Sequence, residues 1–292
     1  MPWLPPVTTT NCEEESTVFR FFTYDAARCL VAASAGPAGH PLLPFYLLSM
    51  LKVFGSFVLF LQNMVSRTER LRVIWRRFME EATLIGVDSI FIVGIVSAFI
   101  GAVTCIQIAY NLTNPLIPKS TIGYMVREMT ILELAPTITS IVLAGKVGSS
   151  IAGGLGTMRI TEQISALEVM GINATSYLVL PRILASIFMF PLLVILAMAL
   201  SILGGYLAGT LSGVMAATDY IEGIRTDFIP YNIVFALIKS VVFAFLVSGI
   251  SAYKGFYTEG GALEVGAAST SAVTNSIIAI LLADYALAAI LL

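Results

Sequence analysis

Between Ser89 and Pro118 the chain carries no charged side chain, and long apolar runs of similar character recur to its end. A helix needs about 20 consecutive apolar residues to cross the hydrocarbon of a bilayer. On that rule five spans are predicted, at about 89–111, 124–150, within 183–218, 231–252 and 268–290. Ahead of them the pattern is different. In RTERLRVIWRRFMEE, Leu71, Ile74, Trp75, Phe78 and Met79 fall at i, i+3, i+4, i+7 and i+8, which is one helical face. Arg67, Arg70, Arg72, Arg76 and Arg77 fall largely elsewhere on the wheel. A basic amphipathic helix with Trp and Phe on its apolar side lies in a membrane interface. The predicted organisation is therefore an extension over 1–49, an interfacial helix within 50–87 and a five-span domain over 88–292. The extension holds Pro2, Pro5, Pro6 and the acidic triplet Glu13, Glu14 and Glu15, with neither a secretory nor a transit pattern. It is expected to be disordered or weakly structured, or to be mis-started, with translation beginning at Met50.

Composition sharpens this reading. Of 292 residues, 58% are hydrophobic and 12% charged, half the charged share of a soluble domain, which is about 25%. Mean hydropathy is +0.91. The fold class is all-α integral membrane protein. His40 is the single histidine, and Cys12, Cys29 and Cys105 have no metal-like spacing. No metal, no cofactor and no catalytic group is expected. Lys and Arg set orientation. If the amphipathic helix is cytoplasmic, that side also takes Lys52, Lys146, Arg159, Arg182 and Lys254, against Lys119, Arg127 and Arg225 opposite. The N-terminus is then inside and the C-terminus outside.

One stretch, LAGKVGSSIAGGLGTMRITEQISALEVMG, looks at first like a phosphate loop. It fails: Gly145-Lys146 is followed by Val147, and Thr139 stands where the first glycine belongs. Gly145, Gly148, Ser149, Ala152, Gly153 and Gly156 suit close helix packing in lipid, as do Gly205, Gly209 and Gly213, spaced by four. Beyond Gly156, Ile160, Ile164, Leu167 and Met170 recur at helical spacing, while Arg159, Glu162, Gln163 and Glu168 take other faces. This predicts a short cytoplasmic helix, stopped at Gly171, that docks on a soluble partner.

AGKVGSSIAGGLGTMRITEQISALEVMGI, LVLPRILA, LIKSVVFA and GALEVGAASTSAV, in that order, resemble the MlaE (YrbE) permeases, the membrane subunits of MCE-associated ABC transporters of phospholipid. The resemblance covers about residues 50–292. It implies a homodimer in the bacterial inner membrane, two copies of a separate ATPase that hydrolyses ATP, an MCE-domain protein on the periplasmic side and a small STAS-domain protein; nucleic acid has no part. It implies five spans after an interfacial helix, and makes 157–170 the coupling helix, with Glu162 and Glu168 touching the ATPase and Arg159, Gln163 and Leu167 beside them. The lipid pocket is expected at the dimer interface. In one branch of the family LELAP has Arg before the glutamate and Gly for Ala; here Leu132 and Ala135 stand there.

Two charges fall well inside spans, Glu133 and Lys239. Each costs about 2.5–3.5 kcal/mol at mid-bilayer on insertion scales, and counting residues puts them at similar depth. They are expected to pair, directly or across a polar cavity near the lipid pocket. Lys146 is expected to snorkel, Arg182 to anchor the start of the third span, and Asp284 to reach water at the outer end of the fifth. The competing reading is a self-contained secondary transporter or channel, which favours inverted repeats or broken helices; no repeat is visible. An intramembrane enzyme lacks any Ser/His or paired-Asp constellation in the spans.

Overall fold

The computed structural model describes residues 55–64, 71–112, 118–213 and 215–291. The sequence expectations for 1–49, for a start at Met50, and for Lys52, Arg67 and Arg70 lie outside them. The chain divides into two units, Met1–Leu61 and Gln62–Leu292. In the first, residues 55–61 are helical, the opening of a helix α1 over residues 55–64. The second holds five helical rods long and apolar enough to cross a membrane, Arg72–Asn111, Ser120–Ile160, Ala174–Leu211, Tyr231–Phe256 and Ala262–Leu291. No strand occurs among the described residues.

The first rod joins what the sequence reading kept apart. Helix α2 (Leu71–Ala82) passes through a π-helical turn at Thr83–Val87 into α3 (Asp88–Asn111). Nothing in this stretch forces a break, because no proline occurs and Gly86 is tolerated where the rod meets its neighbour. A Cβ there would lie 2.9 Å from Met189 Sδ. The second rod is α4 (Ser120–Met129), a π turn at Thr130–Leu134, α5 (Ala135–Leu143), a second π turn at Ala144–Gly148, and α6 (Ser149–Ile160). A break at Thr161 and Glu162 separates it from α7 (Gln163–Val169), so residues 157–160 belong to the span rather than to the short helix.

Helix α8 (Ala174–Leu211) starts nine residues before the predicted window. The charge-free criterion had excluded Arg182, but the side chain of Asn173 accepts the Ser176 N–H at the helix start and Glu81 neutralises the arginine from α2. Helix α9 (Ala217–Arg225) then lies against α4, followed by α10 (Tyr231–Phe256) and α11 (Ala262–Leu291). The five rods alternate in direction, so α7 and the 257–261 turn share one end and α9 and the C-terminus the other.

Helices α3 and α8 meet backbone to backbone. A Cβ on Gly101 would lie 1.8 Å from the Ser201 carbonyl oxygen, and one on Gly204 2.1 Å from that of Ala98. Gly205 and Gly209 face this seam too, against the Tyr220 hydroxyl and Cys105 Sγ. Gly213 does not. It has nothing within 4 Å and a φ of +68°, so it turns the chain at the end of α8 instead of packing it.

Candidate functional site

A buried ion cluster joins the second, fourth and fifth rods. Lys239 of α10 is fully buried, and its ammonium lies 2.9 Å from Glu133 Oε2 and 2.6 Å from Asp284 Oδ1. It also donates to the Leu132 carbonyl at 3.3 Å and sits 4.8 Å from the centre of the Phe235 ring. The Thr137 hydroxyl donates to Asp284 Oδ2 at 3.3 Å. Glu133 stands in the π turn Thr130–Leu134. Such turns redirect a side chain that a straight helix would aim elsewhere, and are frequent at functional sites. The two charges singled out in the sequence thus meet directly. Asp284, expected in water, is the third member, and only 7% of it is exposed.

The exposure of the three is unequal. The Glu133 side chain is 54% exposed while those of Lys239 and Asp284 are 0% and 10%. One ammonium faces two carboxyl groups, and it is Glu133 that reaches the surface of this single chain. At 1.5 Å per residue, Lys239 and Asp284 lie about 12 and 10 Å along their helices from the α9 end, and Glu133 about 20 Å.

At the α9 end Arg127 is 1% exposed. It pairs with Glu128 at 2.7 Å and donates to the carbonyls of Ile224, Thr226 and Asp227 at 2.6, 2.7 and 3.1 Å. Its guanidinium faces the Tyr124 and Phe228 rings, and Asn232 closes the set by donating to Glu128 Oε2 at 2.7 Å. The sequence reading had counted Arg127 only as an orienting charge. It is the pin that satisfies the open carbonyls after α9, which a helix end leaves without intrahelical partners. Nearby, Tyr220 donates to the Ile202 carbonyl at 3.0 Å, and burial pushes its phenol far above the usual value.

At the opposite end, α7 is held by one side chain. Ile164 is fully buried and Leu167 half-buried, whereas Glu162, Gln163, Glu168, Val169 and Met170 are exposed. Glu162 has a φ of 59°, the left-handed region, and sets the angle between α6 and α7. Gly171, with φ +78°, ends the helix. Tyr257, at the end of α10, feels both Arg159 and Glu168. Burial raises its phenol pKa, Tyr253 and Glu168 add to the rise, and Arg159 opposes it. Of the residues predicted to couple this protein to a partner, Arg159 and Glu168 therefore lie near Tyr257.

Residues 78–290 match the family described as Permease MlaE. A probable ABC transporter permease protein of Rickettsia felis is 36% identical over 231 residues, which are 79% of this chain and 89% of that protein. A probable ABC transporter permease protein of Synechocystis is 32% identical over 219 residues, 73% of this chain and 81% of the relative. The chloroplastic protein TRIGALACTOSYLDIACYLGLYCEROL 1 of Arabidopsis thaliana is 32% identical over 225 residues, 77% of this chain and 64% of its own.

Proposed function

The chain belongs to the MlaE permease family, and from that membership we propose that this multi-pass permease subunit moves phospholipid between the two membranes of a bacterial envelope, driven by two copies of a separate ATPase. The observation that carries the reading is α7. A helix anchored by the single buried side chain of Ile164 leaves Val169 and Met170, 89% and 65% exposed, beside Glu162 and Glu168. Apolar groups rimmed by charge suit a groove on a soluble protein better than they suit water. In this reading α7 lies in the cytoplasm, the N-terminus is inside, the C-terminus is outside and the membrane is the inner one.

The proposed cargo follows from the spans. Their surfaces are apolar, with exposed Phe91, Phe99, Phe188 and Leu203, and this suits acyl chains. The half-exposed carboxylate of Glu133 belongs to a cluster bridging three rods. We place a second copy of the chain against that face, with the lipid pocket between the two and Glu133 and Lys239 in its wall. ATP binding by the partner would then bias two packings of the rods, and the Lys239 cluster is the element whose geometry differs between them. An MCE-domain protein is the expected periplasmic acceptor, and a STAS-domain protein a further companion of the ATPase. One relative carries the glycerolipid trigalactosyldiacylglycerol in its name, which supports a lipid cargo without naming a phospholipid.

Reconstitution tests the reading. The chain and its copurifying ATPase in liposomes should move fluorescent phospholipid only with ATP. Transport by the chain alone, driven by an ion gradient, would instead support the secondary transporter, for which the intramembrane cluster is the favourable feature.

A further inference from the structure

A second polar site lies at the α7 end, away from the Lys239 cluster. A cavity of about 250 Å³ is lined by Glu81, Asp88, Lys146, Ser150, Gly154 and Arg182, among others. It opens where the first and second rods each pass through a π turn, Thr83–Val87 and Ala144–Gly148. Arg182 is nine-tenths buried and donates through Nε to Glu81 Oε1 at 2.8 Å. Its Nη1 is buried without a hydrogen-bond partner among the described residues. A buried donor of this kind is costly unless something fills its place. Lys146 donates to the Asp88 carbonyl, which uses one of its three N–H groups. Gly154 forms the floor. A Cβ there would be 3.8 and 3.9 Å from the terminal nitrogens of Arg182, so the absent side chain leaves the guanidinium face open.

Depth and charge identify the occupant. At 1.5 Å per residue, Asp88 is about 35 Å along α3 from Asn111, and Lys146 about 39 Å along its rod from Ser120. The hydrocarbon core is about 30 Å thick, so both fall where headgroups begin. Two cations and two carboxylates line the cavity, which makes it neutral but strongly dipolar. The volume is below the range of about 300–1,000 Å³ typical of pockets for drug-sized ligands, which suits a small group. We propose that this cavity holds the headgroup of a phospholipid bearing a primary ammonium, its phosphate against Arg182 Nη1 and Lys146 and its ammonium against Asp88 and Glu81. An anionic headgroup meets the carboxylates with no cation to offer. A quaternary ammonium has no N–H to give them. The site rests on the membrane placement of the rods, not on the transport reading.

The purified full-length chain, without ATP or partners, is placed in phosphatidylcholine nanodiscs containing equal minor amounts of phosphatidylethanolamine and phosphatidylglycerol, and retained lipid is read by native mass spectrometry. Phosphatidylethanolamine should be retained at least fivefold over the other two. Gly154→Leu, which fills the floor, should remove that preference with little change in melting temperature, and Arg182→Gln should do the same if it folds. Equal retention of phosphatidylglycerol overturns the proposal, as does an unchanged preference in a folded Gly154→Leu protein. Displacement of the bound lipid by inorganic phosphate or free phosphoethanolamine at millimolar concentration would show a site for the free anion and overturn the lipid assignment. None of these outcomes bears on ATP-driven transport, which is scored separately.

Discussion

Asp284 Oδ1 lies 2.6 Å from the Lys239 ammonium, nearer than Glu133 at 2.9 Å. The fifth rod is thereby tied to the fourth by the most buried contact of the cluster, while the bond to the second rod is half open to the outside. A buried pair is strongly destabilised when one partner is removed, because the other charge stays desolvated. Exposure therefore ranks the three residues.

The first prediction is that rank order. Lys239→Ala orphans two carboxylates and should cost about 3–5 kcal/mol. Asp284→Asn should cost less, since its amide still accepts a hydrogen bond. Glu133→Gln should cost least of the three, since Lys239 keeps its pair with Asp284 and its bond to the Leu132 carbonyl. Thermal unfolding in detergent, followed by size-exclusion fluorescence, checks the order. A Glu133→Gln, Lys239→Met, Asp284→Asn triple variant should be more stable than Lys239→Ala alone, because it leaves no unpaired charge.

The second concerns Arg127. Three carbonyls and one carboxylate depend on its guanidinium. Arg127→Ala leaves those carbonyls unpaired and should release the segment after α9, with a loss of about 3–5 kcal/mol. Arg127→Lys keeps the charge but not the planar fork that spans several acceptors, and should recover only part of it. Limited proteolysis between residues 225 and 231 reads both effects.

The sequence made some of this legible and hid the rest for definite reasons. Long charge-free runs revealed the spans, and charges inside them revealed Glu133 and Lys239. Asp284 escaped because it lies seven residues from the end of α11, within reach of water if the helix stood alone; its burial comes from packing on α10. A charge-free count puts Arg182 at the very start of the third span, whereas the helix begins at Ala174 and Glu81, about a hundred residues earlier, neutralises the arginine within it. The three π turns have no simple sequence signature, yet Glu133 and Lys146 both stand in them. Spacing by four found Gly205 and Gly209 but passed over Gly204 and Gly101, since which glycine meets a backbone depends on the rod opposite.

The third prediction uses that last distinction. Gly204→Ala would set a methyl 2.1 Å from the Ala98 carbonyl oxygen, a clash with backbone that only separation of α3 and α8 relieves. Overpacking of this kind costs about 1–3 kcal/mol, and sometimes more. Gly145→Ala adds a methyl with nothing within 4 Å, and helix propensity favours alanine by about 1 kcal/mol. It should be neutral or stabilising. Melting temperatures of the two single variants should move in opposite directions or differ clearly in size.

The fourth separates two ways in which Glu162 can matter. Its carboxylate faces outward on α7, and its backbone sits at φ 59°, where glycine is at ease and a β-branched residue is strained. If the side chain itself touches the ATPase, Glu162→Gly and Glu162→Val should weaken copurification alike, and Glu162→Lys with Glu168→Lys should abolish it. If the residue acts through the bend between α6 and α7, Glu162→Gly should bind normally while Glu162→Val does not. The exposure of Glu168, Val169 and Met170 on the same short helix favours direct contact, so the expected result is loss in both single variants. Ile164→Asp provides the calibration. It removes the side chain that holds α7 to the rods, and should lose the partner even with both glutamates present. ATPase recovered per permease on an affinity resin measures every variant on one scale.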